Sequence, residues 1–154
     1  MANVTYDKNC LTVLDHPLVG HKMTILRDES TVPAHFRKLV HELAALEAYE
    51  ATRDLPTMQV QVKTPICETE GVRLKDDTLA VVPILRAGMG MLEGVLSVVP
   101  SAAVGVLGME RNEETHEPHS YYAKMPQGIE NRMVLVIDPM LATGGSALAA
   151  IKYL

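Results

Sequence analysis

The sequence predicts an α/β protein in which a mostly parallel sheet is flanked by helices in Rossmann-like layers. Two continuous apolar runs, Leu79–Leu85 and Met133–Ile137, are typical of strands buried on both faces of a helix-covered parallel sheet. Helical patterns alternate with these runs, which favours an α/β layer architecture. A length of 154 residues suits one domain, spanning residues 1–154.

The first half of the chain predicts a helix followed by a strand. Ser30 and Thr31 are candidate N-caps. After Pro33, apolar residues recur at i, i+3, i+4 and i+7, so we expect an amphipathic helix that ends near Arg53. Apolar residues at 58, 60 and 62 then alternate with polar ones, which is the period of a half-buried strand.

The second half alternates strands with helices. After the first apolar run, residues 91–99 predict a short helix stopped by Pro100, and residues 102–107 predict another strand. Residues 110–126 are polar and lack a regular period, so they predict either a long mobile loop or a β-ribbon. Loops of this length often serve as lids. The second apolar run leads into a helix over residues 147–154.

Composition argues against several classes of function. The chain has 14 Lys and Arg against 19 Asp and Glu, a net charge of −5, and only 4% aromatic residues, so it is unsuited to binding nucleic acid. Its apolar stretches are too short to span a bilayer, and its first residues do not form a secretory signal. Cys10 and Cys67 have neither disulfide-framework nor zinc-site spacing. We therefore expect a cytoplasmic protein without membrane or nucleic-acid partners.

The sharpest functional signal follows the second apolar run. That strand delivers Asp138 to the carboxyl edge of the sheet, and the turn over residues 143–146 (T-G-G-S) opens a helix whose first N–H groups are unpaired. This arrangement binds phosphate. No Lys follows the glycines, so this is not a Walker A loop, and Gly88 with Gly90 lacks the third glycine of a Rossmann fingerprint. Taken alone, T-G-G-S is equally consistent with a tight turn that binds nothing.

Four separated segments, in order along the chain, resemble the type I phosphoribosyltransferases. The exact residues of one of these segments resemble the uracil-specific branch of that family. Residues 138–146, D-P-M-L-A-T-G-G-S, are similar to the loop that binds phosphoribosyl pyrophosphate (PRPP). Residues 83–88 resemble the pyrophosphate loop, residues 109–111 with 121–126 the flexible loop, and residues 49–55 an early helix. The match covers nearly the whole chain.

The resemblance implies transfer of the 5-phosphoribosyl group from PRPP to uracil, giving UMP and pyrophosphate. It implies that Arg86 and Arg111 stabilise the departing pyrophosphate and that Asp138, which lacks a second adjacent acid, holds the ribose hydroxyls. The alternative for Arg86 is that it caps a strand and pairs with a surface acid. The alternative for Arg111 is that it is a solvated charge of the loop. The implied PRPP-binding set comprises Arg86, Arg111, Asp138, Pro139, Met140, Leu141, Ala142, Thr143, Gly144, Gly145 and Ser146.

The resemblance also implies Mg²⁺ carried by PRPP, GTP as a candidate effector, and a homo-oligomer of two or more chains. It implies that uracil is contacted by a segment after the PRPP loop, so we expect this chain to be incomplete at its C-terminus. The alternative function is therefore a non-catalytic regulatory module of the same fold that binds PRPP or a nucleotide. Lys124, His116 and His119 are assigned no role.

Overall fold

The computed structural model describes residues 11–111 and 118–154 and confirms the predicted α/β class. The elements, in chain order, are α1 (Pro17–Arg27), α2 (Pro33–Ala51), β1 (Thr57–Lys63), β2 (Glu68–Leu74), β3 (Leu79–Leu85), α3 (Met89–Val98), β4 (Ala103–Val104), β5 (Val106–Arg111), β6 (Pro118–Lys124), a 3-10 turn (Ile129–Asn131), β7 (Met133–Ile137) and α4 (Gly145–Tyr153).

Strand β3 is the centre of the main sheet. It pairs in parallel with β7 along one edge and with β4 and β5 along the other. The register places Pro83 opposite Ile137 of β7 and Leu85 opposite Gly108 of β5. Strand β6 then joins β5 in antiparallel orientation, so the sheet is mostly parallel, as predicted. Residues 79–84 of β3 are buried, which agrees with their unbroken apolar run.

Helices cover both faces of this sheet. Because side chains of a strand alternate between faces, β3 contributes to two cores. On one face Val81 packs with residues of α2 and α3, including Val40 and Val95. On the other face Val82 shares a cluster with Ala150 of α4. The carboxyl ends of β3, β5 and β7 are thereby held in a rigid frame.

Two predicted helix caps are wrong. Helix α2 begins at Pro33 with Val32 at the N-cap position and no capping side chain. The Thr31 hydroxyl instead donates to the carbonyl of Ile25, and the Ser30 N–H donates to the Asp28 carboxylate at 2.8 Å. These hydrogen bonds of Ser30 and Thr31 stabilise the turn between α1 and α2, and neither residue caps α2.

The predicted strand over residues 102–107 is two strands. Gly105 separates β4 from β5, and its N–H donates to the carbonyl of Val81 at 2.9 Å. The edge of β3 therefore stays hydrogen bonded across the break. Helix α3 begins two residues earlier than predicted, at Met89, and ends before Pro100 as expected.

The β-ribbon alternative for residues 110–126 is confirmed where the structure describes it, because β5 and β6 pair in antiparallel register. Residues 112–117, which include His116, lie outside the described residues. Strand β1 is also confirmed, but it pairs with β2 in a separate hairpin and is mostly exposed rather than half-buried. Among the described residues, no helix combines the length and apolar character needed to cross a membrane.

Candidate functional site

Three neighbouring parallel strands end at one edge of the sheet, and a predicted site residue lies at each end. Arg86 directly follows β3, and Asp138 directly follows β7. Since β3 and β7 are hydrogen-bonded neighbours, these two residues share the carboxyl edge. The backbone of Arg111 ends β5 on the other side of β3, paired with residue 118, while the Arg111 side chain lies outside the described part of the structure.

The turn after β3 places Arg86 at the surface of this edge. The Gly88 N–H donates to the carbonyl of Ile84 at 2.9 Å, which folds the turn back on the end of β3. A Cβ on Gly88 would lie 2.4 Å from the carbonyl oxygen of Ile137, so only glycine lets the turn approach both strand ends. Arg86 is exposed and forms no ion pair with any described residue. Its guanidinium is available to an anion.

The segment after β7 forms the predicted phosphate-binding loop. Gly144 has φ +76°, a left-handed conformation that favours glycine, and α4 begins at the next residue. The first intrahelical bond runs from the Leu148 N–H to the Gly144 carbonyl at 2.8 Å. The N–H groups before Leu148 lack intrahelical acceptors, and together with the helix dipole they favour an anion at this end of α4.

The loop encloses a small cavity of about 50 Å³. Eight predicted residues line it, but Pro139 does not, and Arg86 lies on the neighbouring turn instead. Sequence reasoning missed Ala147, which lines the cavity from the first turn of α4 and which its place after the glycines could have indicated. The lining residues are Asp138, Met140, Leu141, Ala142, Thr143, Gly144, Gly145, Ser146 and Ala147.

Asp138 is the only acidic residue of this cavity, and it is partly buried. Within residues 11–111 and 118–154, no group of three or more His, Cys, Asp or Glu side chains could hold a metal ion. His119 is engaged elsewhere, because its Nε2 lies 2.9 Å from Oε1 of Glu110 across the β5–β6 ribbon. Lys124 is exposed where β6 ends, opposite Val106.

A larger groove, of about 840 Å³, lies elsewhere in the described structure. It is bordered by residues 12–16, by α1 and by the end of α2, and polar residues such as His16, Glu50 and Arg53 line it. None of the predicted site residues belongs to it. The predicted residues of the loop therefore line the small cavity rather than this larger groove.

Comparison with known proteins tests the family resemblance over most of the chain. Residues 13–154 match the family model described as Uracil phosphoribosyltransferase. The chain belongs to the uracil phosphoribosyltransferase family. The resemblance found in four separated motifs is thus confirmed over most of the sequence.

Individual relatives are similar to this chain in sequence, and a solved structure is similar to it in fold. The uracil phosphoribosyltransferase of Macrococcus caseolyticus (strain JCSC5402) is 56% identical over 142 residues, which cover 92% of this chain and 68% of the relative. That of Agathobacter rectalis is 55% identical, covering 94% and 69%. The solved structure of the AQ2163 protein from Aquifex aeolicus superposes with a TM-score of 0.85 at 42% identity, covering 92% and 68%.

Proposed function

We propose that this member of the uracil phosphoribosyltransferase family transfers the 5-phosphoribosyl group of PRPP to uracil, giving UMP and pyrophosphate. The observation that carries the proposal is the placement of the Asp138 loop and the Arg86 turn on adjacent parallel strands, in a chain of a family named for this reaction. Ligands of α/β sheets bind at such carboxyl edges.

The loop after β7 would hold the ribose phosphate half of PRPP. The N–H groups at the start of α4 would donate to the 5-phosphate, which the helix dipole also favours. The Asp138 carboxylate would accept hydrogen bonds from the ribose hydroxyls. Because the loop is built on β7 and α4, it fixes the sugar relative to the sheet before reaction.

Arg86 and Arg111 would act on the leaving group. When N1 of uracil bonds to C1 of the ribose, the bond from C1 to the pyrophosphate oxygen breaks, and the electron pair leaves with pyrophosphate. Positive charge develops on the ribose and negative charge on the departing oxygen, while N1 releases its proton to water. A guanidinium offers paired N–H donors to phosphate oxygens, so these two residues lower the barrier by stabilising the charge that leaves.

A magnesium ion fits this site only as an ion that PRPP brings. The described residues offer one carboxylate at the cavity, Asp138, and no cluster of ligands, whereas Mg²⁺ commonly keeps its waters and binds substrate phosphates. When bound, Mg²⁺ supplies positive charge to the diphosphate. Asp138 would orient the ribose hydroxyls.

We also propose a homo-oligomer, because the β1–β2 hairpin lacks a broad partner within the described residues. An isolated two-stranded hairpin is marginally stable in water, so a second copy of the chain is the partner that would cover it. Activation by GTP rests on the family resemblance, whereas residence in the cytoplasm rests on the composition and cysteine spacing of the sequence. Measuring UMP formation with and without GTP tests the first of these.

The proposal is tested by supplying the protein with PRPP, Mg²⁺ and labelled uracil, and by measuring UMP and pyrophosphate. We expect equimolar products, and Arg86→Ala should lower kcat/KM for PRPP by about 10- to 100-fold, the size of a lost charge-assisted hydrogen bond. Arg37→Ala removes an exposed guanidinium from α2 and should change nothing. Binding of PRPP without product would instead favour the regulatory module.

A further inference from the structure

The register between strands β5 and β6 shifts at one point, close to the turn that holds Arg86. Gly108 pairs with Tyr122, but the next residue, Met109, pairs with Ser120, so Tyr121 is an extra residue with no partner of its own. Such a bulge bends a strand and increases its twist, and bulges often re-aim strands beside active sites. The bulge therefore sets the direction in which the ribbon leaves the sheet.

The ring of Tyr121 lies directly over Gly108. A Cβ added to Gly108 would come within 2.6 Å of Cζ and 2.7 Å of Cε2 of that ring, so the ring occupies the space of the absent side chain. Gly108 is buried, although Tyr121 itself is 50% exposed. Leu107 packs in the α4 cluster, so Gly108 faces the opposite side of the sheet, and the ring covers that side.

This contact lies between two predicted site residues. Gly108 is the register partner of Leu85, which directly precedes Arg86, and the backbone of Arg111 lies three residues further along β5. A change in how the Tyr121 ring packs on Gly108 would thus move the end of β5 relative to the turn that holds Arg86. Displacement of a site group by about 1 Å can cost 100-fold in rate.

We propose that Tyr121 is a positioning residue for PRPP, because its ring, seated on Gly108, fixes the end of β5 against the Arg86 turn. The proposal rests on the proposed function, since it assigns the consequence to PRPP binding at the same site. This role requires the aromatic ring of Tyr121 and the free space that Gly108, without a side chain, leaves for it. It does not need the Tyr121 hydroxyl, which has no hydrogen-bond partner among the residues that the structure describes.

Four variants of the full-length protein test this assignment, with the Kd of PRPP measured by calorimetry alongside kcat and KM. We expect Tyr121→Ala to raise the Kd of PRPP about tenfold, and Tyr121→Phe to stay within about twofold of the wild type. Gly108→Ala should also weaken binding, because its methyl group displaces the ring. In the double variant the ring is absent, so the two losses should not multiply.

Tyr122→Ala is the matched control, since it removes a similarly exposed ring from the adjacent position of β6. We expect it to lower the free energy of unfolding as much as Tyr121→Ala does, yet to leave the Kd of PRPP within about twofold. Equal effects of the two variants on Kd, or multiplied losses in the double variant, would overturn the positioning role. A wild-type protein that binds PRPP but makes no UMP would overturn the proposed reaction and leave this binding comparison intact.

Discussion

At the scale of single residues, the candidate site has one carboxylate. Asp138 is followed by Pro139, and it is the only acid of the loop cavity. No other carboxylate among the residues of the loop cavity can replace the contact that we propose between Asp138 and the ribose. A conservative change at this position should therefore have a large effect.

We expect Asp138→Asn to lower kcat/KM for PRPP by about 10- to 100-fold, because an amide replaces a charged acceptor and about 1.5–3 kcal/mol of hydrogen bonding is lost. Steady-state kinetics with varied PRPP measures the change. Glu93→Gln, an equally small change at an exposed position of α3, is the control and should keep wild-type kinetics. If both variants retained wild-type kcat/KM, Asp138 would have no role in PRPP use.

At the scale of elements, α2 and α3 approach closely because Gly94 has no side chain. A Cβ there would lie 2.2 Å from the carbonyl oxygen of His41 and 2.9 Å from Cβ of Ala44. Gly90, one turn earlier in α3, has only an ordinary contact of 3.5 Å with Val40. The same substitution should therefore have opposite effects at the two glycines.

We expect Gly94→Ala to lower the free energy of unfolding by about 1–3 kcal/mol, since the added methyl group forces the helices apart. Gly90→Ala should raise it by about 0.5 kcal/mol, because alanine favours the helix and the site has room. Urea unfolding of both variants gives the comparison. Loss of stability in neither variant would contradict the close packing of α2 on α3.

Helix α1 is attached to α2 partly by charge. Nζ of Lys22 lies 2.5 Å from Oε2 of Glu42, and this hydrogen bond, aided by Lys38, holds the pKa of Glu42 below its ordinary value of 4.5. A carboxyl with a lowered pKa in the folded state contributes stability above its ordinary pKa and loses that contribution as the pH falls through the lowered value.

The difference in unfolding free energy between the wild type and Glu42→Gln should therefore be present in full at about pH 7 and smaller at about pH 3. Urea unfolding at both pH values checks this. Exposed Glu93→Gln, which breaks no ion pair of the described residues, serves as the control. A difference that persisted unchanged at low pH would mean that the Glu42 charge does not stabilise the contact between α1 and α2.

The buried elements could be predicted from the sequence, and so could β1, whose apolar residues alternate although the strand is mostly exposed, whereas α1 and β2 could not. The sequences of strands β3 and β7 are continuous apolar runs, and one face of α2 is apolar, because each of these elements packs into a core. Helix α1 has no buried residue, only one residue of β2 is even partly buried, and neither element was predicted from the sequence. Local hydrophobic patterning reports burial rather than secondary structure itself.

The same reasoning explains which parts of the site could be predicted. The loop after β7 is contiguous, and its glycines and acid follow a recognisable strand, so eight of the nine residues that line its cavity were predicted together. The contact between Gly108 and Tyr121 was not found, because it depends on a bulge between residues 13 positions apart. Register shifts of this kind depend on strand pairing, which single-sequence patterns do not contain.

At the scale of the whole molecule, the β1–β2 hairpin is the feature that a single copy leaves uncovered. Exposed apolar side chains occur on both of its strands: Met58 is 46% exposed, Val72 60% and Leu74 41%. Ile66, between the strands, is 95% exposed. Apolar groups on a projecting two-stranded hairpin favour association, since burial against a second copy removes them from water.

We expect the full-length protein to sediment as a dimer or larger assembly at micromolar concentration, and Val72→Asp to shift it toward the monomer, because a charge in a buried interface is unpaired there. Sedimentation velocity over a range of concentrations measures the shift. Val32→Asp makes the same change at a position that is 61% exposed outside the hairpin, and it should leave the assembly intact. A wild-type monomer at all concentrations, or equal effects of the two variants, would exclude the hairpin as the contact between copies.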